Sequence, residues 1–147
     1  MQKGCILLTN ASSTDDAVDQ AKKFLATRMD WNNYFWESYE LGGSFDSLLE
    51  KGSSCFCKPL AQCLEVVKEW MVDMESWAEE TWKEMLEVKE KNSSFSAAGL
   101  AKTYAKIIED DFWIGSRVFD LVERTNKISL EKTDIDSWYA IVVEFKV

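Results

Sequence analysis

Residues 59–91 read PLAQCLEVVKEWMVDMESWAEETWKEMLEVKEK, and their spacing governs the expected build of the chain. Cys63, Val66, Val67, Trp70, Met74, Trp77, Thr81, Met85 and Val88 recur at steps of three and four, the spacing of one helix face. Leu60, Leu64, Met71, Ala78 and Trp82 widen that stripe along one flank. The far side carries Glu65, Glu69, Asp73, Glu80, Glu84 and Glu87, with Lys83 the only base near them. Pro59 suits a first helical turn, where its missing N–H costs nothing, and Asn92, Ser93 and Ser94 end the pattern. The periodicity predicts one continuous amphipathic helix from Pro59 to Lys91, about 45–50 Å long at ~1.5 Å per residue. A domain of this size is about 30–40 Å across. Such a rod must protrude, bend, or lend its surplus apolar surface to a partner.

Composition narrows the class of molecule. A chain of 147 residues can bury a core without metal or disulfide support and is read as a single domain, 1–147. Its 46% hydrophobic content and seven tryptophans argue against disorder. The net charge of −9 and pI near 4.6 argue against direct binding of nucleic acid, which needs Lys and Arg to neutralise phosphates. A basic protein partner, itself a nucleic-acid binder, fits the sign; plain solubility is the simpler explanation of the same charge. Met1 to Thr9 is too short for a secretory leader, and no apolar run approaches the ~20 residues that span a bilayer. The expectation is a cytoplasmic protein without a membrane partner, whose cysteines, Cys5, Cys55, Cys57 and Cys63, stay reduced. There is no histidine, which removes the commonest general base and metal ligand together.

In chain order, Gly4 to Thr9 (GCILLT) is a continuous apolar run, as expected of a strand inside a sheet. Ala17, Val18, Ala21, Phe24 and Leu25 mark the buried stripe of a helix over about 14–28, with Asp15 and Asp16 in its first turn and Arg28 in its last. Tyr34 to Leu41 alternates loosely and reads as a strand ended by Gly42-Gly43, where glycine signals positive φ or close backbone approach. Ser44 would cap a short helix reaching Lys51. Leu100, Thr103, Tyr104, Ile107 and Ile108 form the stripe of a helix over about 96–111, packed antiparallel on the rod. Arg117 to Glu123 reads as a strand, and Trp138 to Val147 (WYAIVVEFKV) as the strongest strand and a central one. The expected fold is α+β: a four-stranded, mainly antiparallel, ferredoxin-like sheet with helices on one face, including a long helical insertion at about 44–111.

Residues with chemistry are sparse. Cys55-Phe56-Cys57 with Cys63 is the most metal-like spacing, but structural zinc sites use C-x₂₋₄-C pairs and four ligands. Cys63 also fits the buried stripe of a helix, so ordinary thiols are the default, and no metal or cofactor is assigned. The carboxylates of the long helix lack the Glu-x-x-His pattern of di-metal bundles. A solvated face is their plain reading. The functional reading is a docking surface, in which Glu69, Asp73, Glu80, Glu84 and Glu87 stand where phosphates would stand before a basic groove. Trp70, Trp77 and Trp82 read as core, or else as interface anchors. Neither Gly42-Gly43 nor Gly115 makes a phosphate loop, and no Ser or Cys has a histidine base.

Tyr39-Glu40-Leu41-Gly42-Gly43-Ser44-Phe45, with Leu48-Leu49 after it, resembles a motif of small phage and mobile-element proteins. Those carry Tyr-x-hydrophobic-Gly-Gly-Arg-Trp at the end of a strand and close on an aromatic-rich strand like Trp138 to Phe145. Ser44-Phe45 stands here in place of Arg-Trp, and the likeness covers a minor part of the chain. It implies an α+β fold and a phage or plasmid setting.

Two functional readings follow. In the first, the protein is a non-enzymatic acidic binding module: an inhibitor made by a mobile element against a host nucleic-acid-binding defence enzyme, anti-CRISPR-like or a partial nucleic-acid mimic. The defence setting comes from the resemblance alone. In the second, it is a small-ligand or nucleotide-binding protein, or an enzyme, with a pocket between sheet and insertion lined by Tyr34, Trp36, Tyr39, Arg117 and Asp120. Self-association through the long helix, giving a homodimer, is compatible with either.

Overall fold

A computed structural model describes residues 2–29, 38–52, 54–71, 79–80, 82–83, 86–87, 90, 96–99, 101, 117–125 and 128–146. Its elements are β1 (Gln2–Asn10), α1 (Thr14–Met29), β2 (Ser38–Leu41), β3 (Cys57–Pro59), α2 (Leu64–Trp70), β4 (Val118–Asp120) and β5 (Trp138–Lys146). The two apolar runs find each other. β5 lies antiparallel to β1 along its whole length, from Gln2↔Lys146 to Asn10↔Trp138.

The other edge of β1 pairs in parallel with β4, Ile6 opposite Val118 and Leu8 opposite Asp120. The other edge of β5 is divided. β2 takes one half, matching Leu41 with Val143, and β3 takes the other, matching Cys57 with Ile141. Between them Val142 accepts the Gly42 N–H at 2.8 Å and donates its own to the Phe56 carbonyl at 2.7 Å. β2 and β3 are thus one edge, opened by an excursion of the chain. The mixed α+β character expected from the sequence is present, but the sheet has five strands in the order β2-β5-β1-β4, with β3 also on β5. That order is not plainly the four-stranded ferredoxin-like one.

Helices cover both faces of the sheet, not one. Alternate residues of a strand point to opposite sides. Cys5, Leu7, Phe119, Ile141, Val143 and Phe145 pack with Ala17, Ala21 and Leu25 of α1. Ile6, Leu8, Val118, Ala140 and Val142 pack with Leu60, Cys63 and Val67. The small Ala17 and Ala21 let α1 approach closely, and Phe24 stacks on Phe119 with ring centroids 5.5 Å apart. The apolar runs of β1 and β5 are unbroken because neither face meets water.

The continuous rod is not formed. Pro59 ends β3, where its missing N–H suits an edge strand. Leu60–Gln62 is a 3₁₀ turn, and α2 begins only at Leu64. At the other end Met71 is extended, with ψ 136, directly after the last helical residue. There the Trp70 indole docks in the space left by the missing side chain of Gly4, edge-on to Phe45 at 5.8 Å, with the Arg117 guanidinium 4.5 Å above it. Helix resumes beyond, at Glu79, Glu80, Trp82, Lys83, Leu86, Glu87 and Glu90. Ser96 caps a further helical stretch by accepting the Gly99 N–H at 3.0 Å. The expected strand residues 34–37, Trp77 and most of the helix expected over 96–111 lie outside the described residues. Ser44 sits in a 3₁₀ turn, Gly43–Phe45, and not at the head of a helix to Lys51. Among the described residues, no helix is long and apolar enough to cross a membrane.

Candidate functional site

Polar side chains gather at the edge of the sheet where the parallel strands β1 and β4 both end. Asp120 is 2% exposed, a costly position for a carboxylate unless it is hydrogen-bonded and paired. It is both. Its Oδ1 accepts the N–H groups of Val122 at 2.9 Å and Glu123 at 3.0 Å, and its Oδ2 lies 3.1 Å from Lys132 Nζ. These bonds turn the chain, so the strand expected to reach Glu123 stops at Asp120; Arg124 then takes φ 54, and Thr125 bridges back to Asp120. The Lys132 ammonium also stands 3.7 Å from the centre of a Trp138 ring. Trp138 donates its indole N–H to Asp134 Oδ1 at 3.1 Å, and Asp134 Oδ2 accepts the Asn10 amide at 2.7 Å. This chain of contacts ties the segment before β5 to the ends of β4 and β1. Its charged groups are engaged with one another and face no nucleophile. It is a latch.

On the opposite face, Thr9 donates its hydroxyl to Gln20, whose amide reaches the Asn10 carbonyl at 3.1 Å and Asp16 Oδ2 at 3.2 Å. Ser13 and Asp16 cap α1 reciprocally: Ser13 Oγ accepts the Asp16 N–H at 3.1 Å, and Asp16 Oδ2 accepts the Ser12 N–H at 2.9 Å. The Ser12 backbone donor is the main reason the Asp16 carboxyl titrates below its ordinary value. The positive end of α1 is answered by its own side chain.

Glu144, also 2% exposed, lies beneath the double glycine. Ser44 donates its hydroxyl to Glu144 Oε1. Gly43, at φ 57, has no room for a Cβ, which would overlap the Glu144 carboxyl group. Positive φ and close approach thus both occur at this turn, with Gly42 at φ 77.

The thiols are scattered. Cys57 packs on the α1 side of the sheet and Cys63 on the α2 side. Burial pushes both thiols up to about 11. Cys5, fully buried, is raised further. The Cys55 S–H points to the Cys57 carbonyl at 3.2 Å. Among the described residues, no three Cys, Asp or Glu side chains are grouped to hold a metal ion.

Of the expected docking carboxylates, Glu69 is exposed on α2, and Glu80 and Glu87 are exposed on the helical residues beyond the break at Met71. Asp73 and Glu84 lie outside the described residues. The acids therefore do not share one unbroken helix face. Of the expected pocket residues, Tyr34 and Trp36 lie outside the described residues, and the other three are not brought together. Tyr39 packs on the α1 side opposite Phe145, whereas Arg117 lies over Trp70 on the α2 side and Asp120 is enclosed in its latch. Sequence reasoning missed Lys132, Asp134 and Glu144. Only Glu144 carried a signal, as the single acid within an otherwise apolar central strand. Comparison with protein-family models, curated proteins and solved structures finds no match.

Proposed function

We propose that the protein is a non-enzymatic binding module that offers an acidic surface to a basic partner protein. One observation carries this reading. Between Glu65 and Glu90, nine carboxylates stand against three lysines, which places −6 of the chain's −9 there. Every described carboxylate in that stretch, Glu65, Glu69, Glu79, Glu80, Glu87 and Glu90, is exposed. The two carboxylates that the fold buries, Asp120 and Glu144, are matched inside it. The surplus therefore faces water, where it acts at long range and attracts Lys- and Arg-rich surfaces. A groove that binds phosphates is one such surface, and the narrower idea of an inhibitor of a nucleic-acid-binding defence enzyme is supported by the Gly42-Gly43 motif alone.

The test compares wild type with a variant carrying Glu69→Lys, Asp73→Lys, Glu80→Lys, Glu84→Lys and Glu87→Lys, matched in circular dichroism and melting. In affinity capture at low salt, wild type retains basic proteins that elute as the screening length drops below about 10 Å, and the variant retains none of them. Equal retention by the two proteins refutes the reading.

A further inference from the structure

The helical residues beyond Met71 present a second pattern. Trp82 and Leu86 are large apolar side chains left exposed there, at 37% and 38%. They are four positions apart, and so lie one above the other on a helix face. Glu79, three residues before Trp82, and Glu90, four after Leu86, fall on the same face, and both are exposed. The stripe Glu79–Trp82–Leu86–Glu90 extends about 16 Å at ~1.5 Å per residue, apolar in its middle and acidic at both ends. A single exposed Leu needs no explanation. A Trp–Leu pair within an acidic surround is different, because tryptophan anchors framed by charge are how interfaces concentrate binding energy.

We propose that this stripe docks a basic amphipathic helix of another protein. Two apolar residues one turn apart on that helix cover Trp82 and Leu86, and Lys or Arg at its ends meet Glu79 and Glu90. Charge complementarity makes the occupant basic, and the one-turn spacing of the apolar pair makes it helical. The proposal rests on the acidic-module reading and adds where the partner sits and what shape it has.

The probe is a fluorescein-labelled peptide of Leu and Lys at amphipathic helical spacing, titrated with the full chain by anisotropy. Beside it runs a peptide of the same composition, scrambled to have no apolar face. Wild type is expected to bind the amphipathic peptide about tenfold more tightly, equivalent to ~1.4 kcal/mol. Trp82→Ala and Leu86→Ser each remove most of that preference, while Val122→Ser, at an exposed apolar site elsewhere, leaves it intact. Equal binding of the two peptides by wild type, or unaltered preference in both stripe variants, overturns the stripe; the acidic reading then stands if both peptides still bind in a salt-dependent way. Failure of both peptides to bind at low salt overturns both.

Discussion

Lys132→Met tests whether the Asp120 latch is a working part of the fold. The substitution keeps a flexible apolar stem of similar length and removes only the ammonium. Lys132 is 10% exposed and Asp120 2%, so the remaining carboxylate is stranded out of water. Breaking a buried pair from one side costs about 3–5 kcal/mol. Here the Val122 and Glu123 N–H groups still hold Asp120 Oδ1, which favours the lower end. The lost contact with the Trp138 ring adds about 1 kcal/mol. The sum is about 3–4 kcal/mol, a large share of the roughly 5–15 kcal/mol that holds a domain folded. In urea, with a slope of about 2 kcal/mol per molar, the midpoint falls by about 1.5–2 M. Asp120→Asn together with Lys132→Met leaves no stranded charge, so the double variant is less destabilised than the sum of the singles by about 1–3 kcal/mol. A midpoint shift of Lys132→Met below about 0.5 M, or strict additivity in the cycle, refutes the argument.

Gly4→Ala sets a methyl 2.8 Å from Trp70 Cη2 and 3.0 Å from Phe45; it is expected to cost about 1–3 kcal/mol in thermal or urea melts, with altered tryptophan fluorescence. Ser13→Ala removes the α1 cap and lowers stability by about 1 kcal/mol, measured in the same melts. Asp16→Asn is destabilising at neutral pH. Because the folded-state value of Asp16 is depressed, the gap from wild type is full above the ordinary carboxylate range and closes as pH falls through the folded value. At pH 8 a thiol reagent is expected to label native Cys55 first, since thiols raised to about 11, as at Cys57 and Cys63, are about one part in a thousand thiolate there. Cys55→Ser should abolish the fast phase.

The elements that could be read from the sequence are those whose signal is local and redundant. α1 is specified by its capping residues and by the stripe of Ala17, Ala21 and Leu25. β1 and β5 are specified by unbroken apolar runs, which also implied that both faces are covered, although helices were expected on only one. The rod failed because periodicity records which residues face the core and not whether the backbone between them is continuous. Cys63, Val67 and Trp70 do face the core, yet no Gly or Pro marks the break at Met71. The cause lies elsewhere, in Trp70 seating against Gly4. β3 was invisible for a similar reason: Cys57, Lys58 and Pro59 have little strand character and are drawn in by the open edge of β5. At the candidate sites, the exposure of Glu69, Glu80 and Glu87 followed from their type. Nothing local could show that Asp120 would find Lys132, or that Tyr39 and Asp120 would end on opposite sides of the sheet.

The place of β5 has a consequence for how the chain comes into being. This strand borders β1, β2 and β3, and it is made after all of them. Asn10 and its partner Trp138 are 128 positions apart. During synthesis the apolar residues of β1 emerge long before the strand that covers their edge, so the sheet cannot close until Lys146 has cleared the ribosome. Pairings of such long range are slow to form, and the waiting strand is open to wrong partners meanwhile. α1, with its own cap and its alanine-lined stripe, is the one early element able to shield β1 during that interval.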